Sequence, residues 1–159
     1  MLKQCAIATF CSSPPDNSSS FFSNNDFNCI IRNNDIYDTD QYAVQGIGIY
    51  LAGNTNNCLV QKNRVFNHTS GSVIGIYLLG ANVKNNNISE NNLTLNGNNL
   101  YFDDAFNNTG YNNNLINATF HNLRFLDTAK NNTIIGGIST NASETGVLVC
   151  CNSVEGNVV

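Results

Sequence analysis

Charged residues and proline are scarce in this chain, and tryptophan is absent. Of its 159 residues only 11% are charged and two are proline, while 42% are hydrophobic. Intrinsically disordered chains combine low hydrophobicity with high net charge, so this composition indicates a folded protein. The length is sufficient for one domain with a hydrophobic core.

Basic residues are few and dispersed. The chain has seven Lys and Arg residues against eleven Asp and Glu, which gives a net charge of −4. Nucleic acid binding requires a basic patch, and no run of Lys or Arg occurs. No apolar stretch approaches the length that crosses a bilayer. The sequence therefore predicts neither a nucleic acid partner nor a membrane span.

The first twenty residues differ in composition from the rest. Residues 1–13 contain one Lys, a short apolar run and then small residues, which is typical of a signal peptide or of a first strand or cap. Residues 12–20 are rich in Ser, Pro and Asn, as linkers are. We therefore divide the chain into residues 1–20, an N-terminal strand or cap with a linker, and residues 21–159, one repetitive domain.

Asparagine is abundant, with 32 copies, whereas lysine has four. AT-rich codons would raise both residues, so Asn is present for a structural reason. It recurs in a six-residue pattern: an apolar residue, two variable residues, Asn, one variable residue and a second apolar residue. The four copies of this pattern occupy residues 31–36, 60–65, 83–88 and 149–154. The tetrapeptide Gly-Ile-Tyr-Leu occurs twice, at residues 48–51 and 75–78.

These repeats predict an all-β fold, a right-handed parallel β-helix of about six coils. Asn and Gly are poor helix formers, and no apolar stripe of helical period persists. Short apolar runs bounded by Asn clusters, which continue through residues 93–135, are typical of strands and turns. Stacked coils bury their inward apolar side chains. The predicted core residues are Ile31, Ile36, Ile49, Leu51, Val60, Val65, Ile76, Leu78, Val83, Ile88, Val149 and Val154.

The β-helix also gives the repeated Asn a role. A sharp turn needs a residue that tolerates left-handed backbone angles, and Asn does so. When the turn recurs in every coil, the Asn amides can hydrogen-bond to one another as a ladder. We expect Asn63 to bond to Asn34 and Asn86. The predicted ladder consists of Asn34, Asn63, Asn86 and Asn152.

The last residues, 154–159, have the composition of an opening coil and not of a cap. Terminal repeats normally differ from internal ones so that they shield the core. We therefore expect either a fragment of a longer solenoid, or end-to-end or lateral self-association through an uncovered coil. The alternative is that the last residues fold across the end of the solenoid as a loop.

Six cysteines are present, and none has zinc-ribbon or CxxC spacing. Their even number permits disulfides, and Cys29 and Cys58 lie one repeat apart. Burial as small apolar side chains is the favoured interpretation.

Residues 46–65 read Gly-Ile-Gly-Ile-Tyr-Leu-Ala-Gly-Asn-Thr-Asn-Asn-Cys-Leu-Val-Gln-Lys-Asn-Arg-Val. This segment resembles a repeat of the NosD-like, pectin-lyase-type right-handed β-helix family, and residues 75–88 resemble it with a shorter link. The resemblance covers about residues 27–90 and extends weakly to 145–159. It implies the fold and leaves the chemistry open. The superfamily includes pectate and pectin lyases, polygalacturonases, alginate epimerases, phage tailspikes and non-enzymatic surface proteins.

Asp103 and Asp104 form the adjacent carboxylate pair of the chain. Sugar hydrolysis needs two carboxylates that flank the bond. Polygalacturonases, which belong to the superfamily that this chain resembles in fold, carry such a pair. They also carry Gly-His-Gly and Arg-Ile-Lys motifs, and this chain has neither. Neighbours in a strand point to opposite faces unless a turn intervenes. An exposed turn is therefore favoured over a catalytic pair.

Asp35, Asp38 and Asp40 form a second acidic group, near Arg32 and Arg64. In lyases of the resembling superfamily, Asp residues hold Ca²⁺ and an Arg acts on the proton next to the carboxylate. These Asp residues are thus candidate binding residues and the two Arg residues are candidate catalytic ones. Solvated loop charges are favoured, and the sequence predicts no metal or cofactor apart from Ca²⁺ as an alternative at this group.

The two histidines, His68 and His121, are far apart and support neither a catalytic triad nor a metal cluster, so we expect both in loops. Asn-x-Ser/Thr sequons number eight, and this composition yields about five by chance, so they assign no compartment. The sequons begin at Asn17, Asn67, Asn87, Asn92, Asn107, Asn117, Asn131 and Asn141.

The favoured function is a non-catalytic β-helix module of an extracellular or cell-surface protein that contacts carbohydrate or a protein partner along its flank. The alternative is a polysaccharide lyase or glycoside hydrolase of the pectin-lyase fold. An enzyme would show a groove in which acidic side chains and a Lys or Arg from successive coils converge. A binding module would show stacked Asn, Thr and aromatic residues without converging charge.

Overall fold

The computed structural model describes residues 21–37, 46–68, 73–151 and 154–159. Within these ranges the chain forms sixteen β-strands and no helix, so no helix there is long and apolar enough to cross a membrane. Residues 1–20, for which we expect a strand or cap and a linker, lie outside the described residues.

The strands follow a fixed order in which each coil contributes one strand to each of three sheets. The first strands of the coils are β1 (Phe21–Asn24), β4 (Ile47–Ala52), β7 (Ile74–Leu79), β10 (Asn98–Asp103), β13 (His121–Leu126) and β16 (Thr145–Cys150). The second strands are β2 (Ile30–Arg32), β5 (Leu59–Gln61), β8 (Asn87–Ser89), β11 (Thr109–Tyr111) and β14 (Thr133–Ile135). The third strands are β3 (Asp35–Tyr37), β6 (Arg64–Phe66), β9 (Asn92–Thr94), β12 (Asn114–Ile116) and β15 (Ile138–Thr140).

Each set of strands pairs with itself in parallel and makes one wall of the solenoid. The first strands form a six-stranded sheet, called here the long sheet, and the second and third strands form the five-stranded second and third sheets. Every sheet keeps chain order from coil to coil, as a parallel β-helix requires. The all-β solenoid predicted from the sequence is confirmed, with about five turns and a sixth pass through the long sheet.

The core is a column of apolar side chains enclosed by the three sheets. Of the predicted core residues, all but Val149 and Val154 are buried. Val154 is partly buried against the core, whereas Val149 is 55% exposed because it lies on β16, an edge strand of the long sheet. The segment 93–135, predicted to contain strands, supplies β9 to β14 and the stacked pair Phe102 and Phe125, whose ring centroids lie 5.1 Å apart.

Two ladders of buried Asn amides join the coils where the sheets meet. At the second corner, between the second and third sheets, Asn34 donates to Asn63, Asn63 to Asn91 and Asn91 to Asn113, with N···O distances of 2.9–3.0 Å. At the first corner, between the long and second sheets, the same bonds join Asn86, Asn108, Asn132 and Asn157.

The predicted ladder therefore mixed two corners. Asn63 does bond to Asn34, but its other partner is Asn91, because Asn86 belongs to the first corner. The six-residue pattern of Asn and apolar residues occurs at both corners, which lie five residues apart in the chain, and the sequence alone did not separate them. Asn152 lies outside the described residues, and the first-corner ladder continues at Asn157.

At each corner the residue that makes the turn and the residue that belongs to the ladder are adjacent in the chain. The residue before each ladder position has a positive φ, for example 57° at Asn33 and 57° at Asn85, and its side chain is exposed. The ladder residue that follows, such as Asn34 or Asn86, is buried. The expectation that one Asn performs both tasks is thus corrected: the first residue makes the turn and the second joins the coils.

Cysteine replaces Asn at the first two positions of the first corner. Cys29 and Cys58 are both buried and form a disulfide, so they do not act as separate apolar side chains. The backbone N–H of Cys58 donates to Asn86 Oδ1 at 2.9 Å, which continues the ladder. A second disulfide joins the neighbours Cys150 and Cys151.

Candidate functional site

A row of aromatic side chains runs along the outer face of the long sheet. Tyr50, Tyr77 and Tyr101 occupy equivalent positions on β4, β7 and β10, and Arg124 follows on β13. Successive tyrosine rings stack with centroids 5.4 and 4.8 Å apart, and the Arg124 guanidinium carbon lies 4.7 Å from the centre of the Tyr101 ring. The ring faces cover one another, and Tyr101 is only 6% exposed.

A cleft of about 610 Å³ lies beside this row, where the strands of the long sheet begin. Its floor is the outer face of the sheet, and its rim includes Phe120 and Glu144, which precede β13 and β16. The described residues that line it are Ile47, Ile74, Tyr77, Asn98, Tyr101, Phe120, His121, Arg124 and Glu144.

His121 and Glu144 are in contact at the cleft, with 3.5 Å between Nε2 and the carboxylate oxygen. Burial lowers the pKa of His121, the nearby Arg124 lowers it further, and Glu144 raises it in part. The imidazole is therefore mainly neutral at neutral pH. The expectation that both histidines lie in loops is confirmed for His68, which lies outside the strands at the third corner, between the third and long sheets, and is fully buried against Asn96. It is wrong for His121, which opens β13.

Asp103 ends β10 on the same outer face and is only 8% exposed, so the exposed turn expected for it is wrong. The Tyr77 hydroxyl donates to Asp103 Oδ2 at 2.7 Å. Burial raises the pKa of Asp103, and the carboxylates of Asp127 and Asp104 raise it further. Burial, followed by the hydrogen bond to Asp103, also raises the pKa of Tyr77.

Asp104 does lie in a turn, since it is the residue after β10 and has a φ of 56°. Its Oδ1 accepts hydrogen bonds from the backbone N–H and the hydroxyl of Thr128, at 3.0 and 2.7 Å. Asp104 thereby joins its coil to the next one. Both residues of the predicted carboxylate pair thus have partners within the fold.

The other predicted site residues lie away from the cleft. Arg32 is on β2 in the second sheet, whereas Arg64 is on β6 in the third sheet, so the two do not stack. Arg64 lies 3.9 Å from Asp35 and 4.2 Å from the centre of the Phe66 ring. The Arg64–Asp35 ion pair is exposed and contributes little to stability. Asp38 and Asp40 lie outside the described residues.

The tyrosine row was not predicted from the sequence, although the chain carries a signal for it. Tyr50 and Tyr77 occupy the same place in the two copies of Gly-Ile-Tyr-Leu. Leu-Tyr-Phe at residues 100–102 and Leu-Arg-Phe at residues 123–125 continue the series with Tyr101 and Arg124. Alignment of these short runs would have predicted the row. His121 and Glu144 gave no such signal, because only the folded coils bring them together.

Comparison with protein-family models, with curated proteins and with solved structures yields no match to this chain.

Proposed function

We propose that this chain is a non-catalytic β-helix module that binds an oligosaccharide in the cleft on the outer face of the long sheet. The observation that carries the proposal is the cleft itself, whose volume of about 610 Å³ lies within the range of about 300–1,000 Å³ that small-molecule sites occupy. Such sites combine apolar walls with a few polar groups that orient the ligand. The resemblance to the NosD-like, pectin-lyase-type repeat family is part of this proposal.

The cleft offers both kinds of contact. Phe120 is 38% exposed on the rim, so its ring is free to pack on the apolar face of a sugar. Arg124 and Glu144 supply a charged donor and a charged acceptor for hydroxyl or carboxylate groups. The stacked tyrosines form a rigid floor, since each ring is held by its neighbours.

Glycoside hydrolysis is less well supported by the same geometry. It requires two carboxylates that flank the glycosidic bond, and Glu144 is the one carboxylate among the described residues that line the cleft. Asp103 Oδ1 is buried and Oδ2 accepts from Tyr77, so neither oxygen is presented to a ligand in the cleft.

Affinity measurements with a panel of acidic and neutral polysaccharides test the proposal. We expect binding of at least one polysaccharide, with affinity reduced about tenfold or more in Phe120→Ala and Arg124→Ala. Matched controls are Tyr111→Ala, an aromatic residue 46% exposed on the second sheet, and Arg32→Ala on β2. Equal loss in a cleft variant and its control, or no binding to any polysaccharide, would exclude this function.

A polysaccharide lyase is the second candidate, because His121, Arg124 and Glu144 converge from successive coils in one groove, as expected of an enzyme. It ranks second because Glu144 is the one acidic residue among the described residues that line the groove. A neutral imidazole can act as a base, and a guanidinium can neutralise the carboxylate of a uronate. Incubation with uronate polysaccharides would then release unsaturated ends detected by ultraviolet absorbance. His121→Gln should abolish their release while binding persists, whereas absence of products from the native protein favours the binding module.

A surface or extracellular location belongs to the same proposal. It is supported by the Cys29–Cys58 disulfide, since structural disulfides are typical of oxidising compartments.

A further inference from the structure

Two carboxylate side chains from adjacent coils lie side by side where the chain leaves the long sheet. The residue directly after each strand of the long sheet has a positive φ, and in most coils it is uncharged: Asn25, Gly53, Gly80 and Cys151. In the coils of β10 and β13 it is Asp104 and Asp127, with φ values of 56° and 55°. The pairing of β10 with β13 places these two residues in adjacent coils, one above the other.

Asp103 brings a third carboxylate to the same place. One oxygen from each of Asp103, Asp104 and Asp127 lies within 4.8 Å of the others. Like charges at this distance repel one another, and the repulsion is strongest where water is excluded. Burial raises the pKa of Asp103, as do the carboxylates of Asp127 and Asp104, whereas hydrogen bonds with Tyr77 and Tyr101 lower it. No Lys or Arg is among the causes of this shift.

One atom of this group is buried and without a partner. Asp103 is more than nine-tenths buried, and its Oδ1 makes no hydrogen bond. An unsatisfied buried polar atom is costly, and an unsatisfied carboxylate oxygen more so. This is an observation separate from the clustering of charge, and both features are explained by a bound cation.

We propose that Asp103, Asp104 and Asp127 bind one divalent cation of the Ca²⁺ class, which joins the coil of β10 to the coil of β13. Ca²⁺ binds oxygen ligands at about 2.3–2.6 Å, so two ligands on opposite sides of the ion are about 4.6–5.2 Å apart. The three oxygens lie within 4.8 Å of one another, so no pair is farther apart than two ligands of one Ca²⁺ ion can be. Mg²⁺ requires about 2.0–2.1 Å and strict octahedral geometry, so it fits less well. Water completes the coordination, as is usual for Ca²⁺ sites.

The site is distinct from the acidic group Asp35, Asp38 and Asp40, for which the sequence left Ca²⁺ binding as an alternative. It does not depend on the proposed cleft function, because none of the three Asp residues lines the cleft. Its effect is to fasten two coils at a corner position where other coils use an uncharged residue.

Terbium luminescence tests the site in the full-length protein. Tb³⁺ substitutes for Ca²⁺ and emits when a neighbouring tyrosine absorbs light, and Tyr77 is hydrogen-bonded to Asp103. We expect emission from the native protein that Ca²⁺ displaces at lower concentration than Mg²⁺. In Asp127→Asn and in Asp103→Asn the Tb³⁺ emission should fall at least tenfold. Asp35→Asn, which removes an exposed carboxylate elsewhere, should keep the emission of the native protein.

Thermal unfolding gives a second readout. Ca²⁺ at 100 times its Kd should raise the Tm of the native protein by about 5–10 °C over that in EDTA. Asp127→Asn tolerates the left-handed backbone, and we expect its Tm to be the same in Ca²⁺ as in EDTA, because the variant lacks a ligand of the ion. Tb³⁺ emission retained in both Asn variants, or a native Tm that Ca²⁺ leaves unchanged, would overturn the proposal.

Discussion

At the scale of single residues, neighbouring asparagines have different tasks. Asn33 adopts the left-handed turn and is exposed, whereas Asn34 is buried and bonds to the next coil. The same pairing occurs at Lys62 and Asn63, where Lys makes the turn. A positive φ is therefore tolerated by several residue types, while the ladder positions other than Cys29 and Cys58 hold an amide that donates and accepts at once.

Asn63 is the most informative ladder residue to change. Its amide donates to Asn91 Oδ1 and to the Ile31 carbonyl and accepts from Asn34. Asn63→Leu leaves these buried groups unpaired, so we expect a loss of about 1–3 kcal/mol or more in the free energy of unfolding. Urea denaturation measures it. Asn33→Gly is the control, because Gly adopts the left-handed turn freely, and equal stability of the two variants would contradict the ladder.

His121 gives the protein a pH-dependent stability. Its pKa is lowered in the folded state, chiefly by burial, so the unfolded chain binds the proton more tightly. The contribution to stability is full above the ordinary pKa of about 6.5 and is lost as pH falls below it. We expect the Tm of the native protein to fall relative to that of His121→Gln as pH decreases from 7 to 5. Parallel Tm curves for the two proteins would show that His121 carries no such effect.

The sequence predicted the core well and the ladder only in part. Burial follows from apolar residues that alternate in short runs, a local signal that marks Ile76 and Leu78. Assignment of Asn86 to a corner needed the register between coils, which changes with coil length. Successive ladder residues are 29, 28 and 22 positions apart along the second corner, so no fixed period could place them.

At the scale of elements, the Cys29–Cys58 disulfide holds two coils where Asn would otherwise do so. It closes a loop with a sequence separation of 29, for which a stabilisation of about 3–4 kcal/mol is typical. We expect the Cys29→Ser, Cys58→Ser double variant to lose about that amount in urea denaturation. Cys150→Ser is the control, since the second disulfide joins adjacent residues and closes no loop between coils.

The ladder supplies a rescue for that variant. In the double variant Cys29→Asn, Cys58→Asn, the two new side chains can extend the hydrogen-bonded ladder of the first corner. Asn86 Oδ1 already accepts a hydrogen bond from the backbone N–H of residue 58. We expect this pair to unfold at a higher urea concentration than the double Ser variant. If the two double variants unfold at the same concentration, Cys58 is not in an amide-compatible position.

At the scale of the whole molecule, the solenoid is a stack of coils in which each contacts only its neighbours. Residues 92–113 make up one coil, measured from the residue after Asn91 to its ladder partner Asn113. Their deletion joins Asn91 to Asn114 and lets β7 pair with β13, so we expect a cooperative fold with a smaller urea m-value. Deletion of residues 92–102 breaks the register and should abolish cooperative unfolding. Equal behaviour of the two deletions would contradict the coil boundaries.

The fixed number of residues between the first-corner and second-corner ladders restricts where the chain can gain or lose a residue during evolution. Asn86 to Asn91 and Asn108 to Asn113 are both five residues, and one inserted codon would turn every inward side chain of that strand outward. The segment between the third and long sheets already differs in length from coil to coil. Single insertions should therefore accumulate there across a lineage, beside Phe120 and Glu144. Such insertions would change the shape of the cleft without disturbing the hydrogen-bonded ladders.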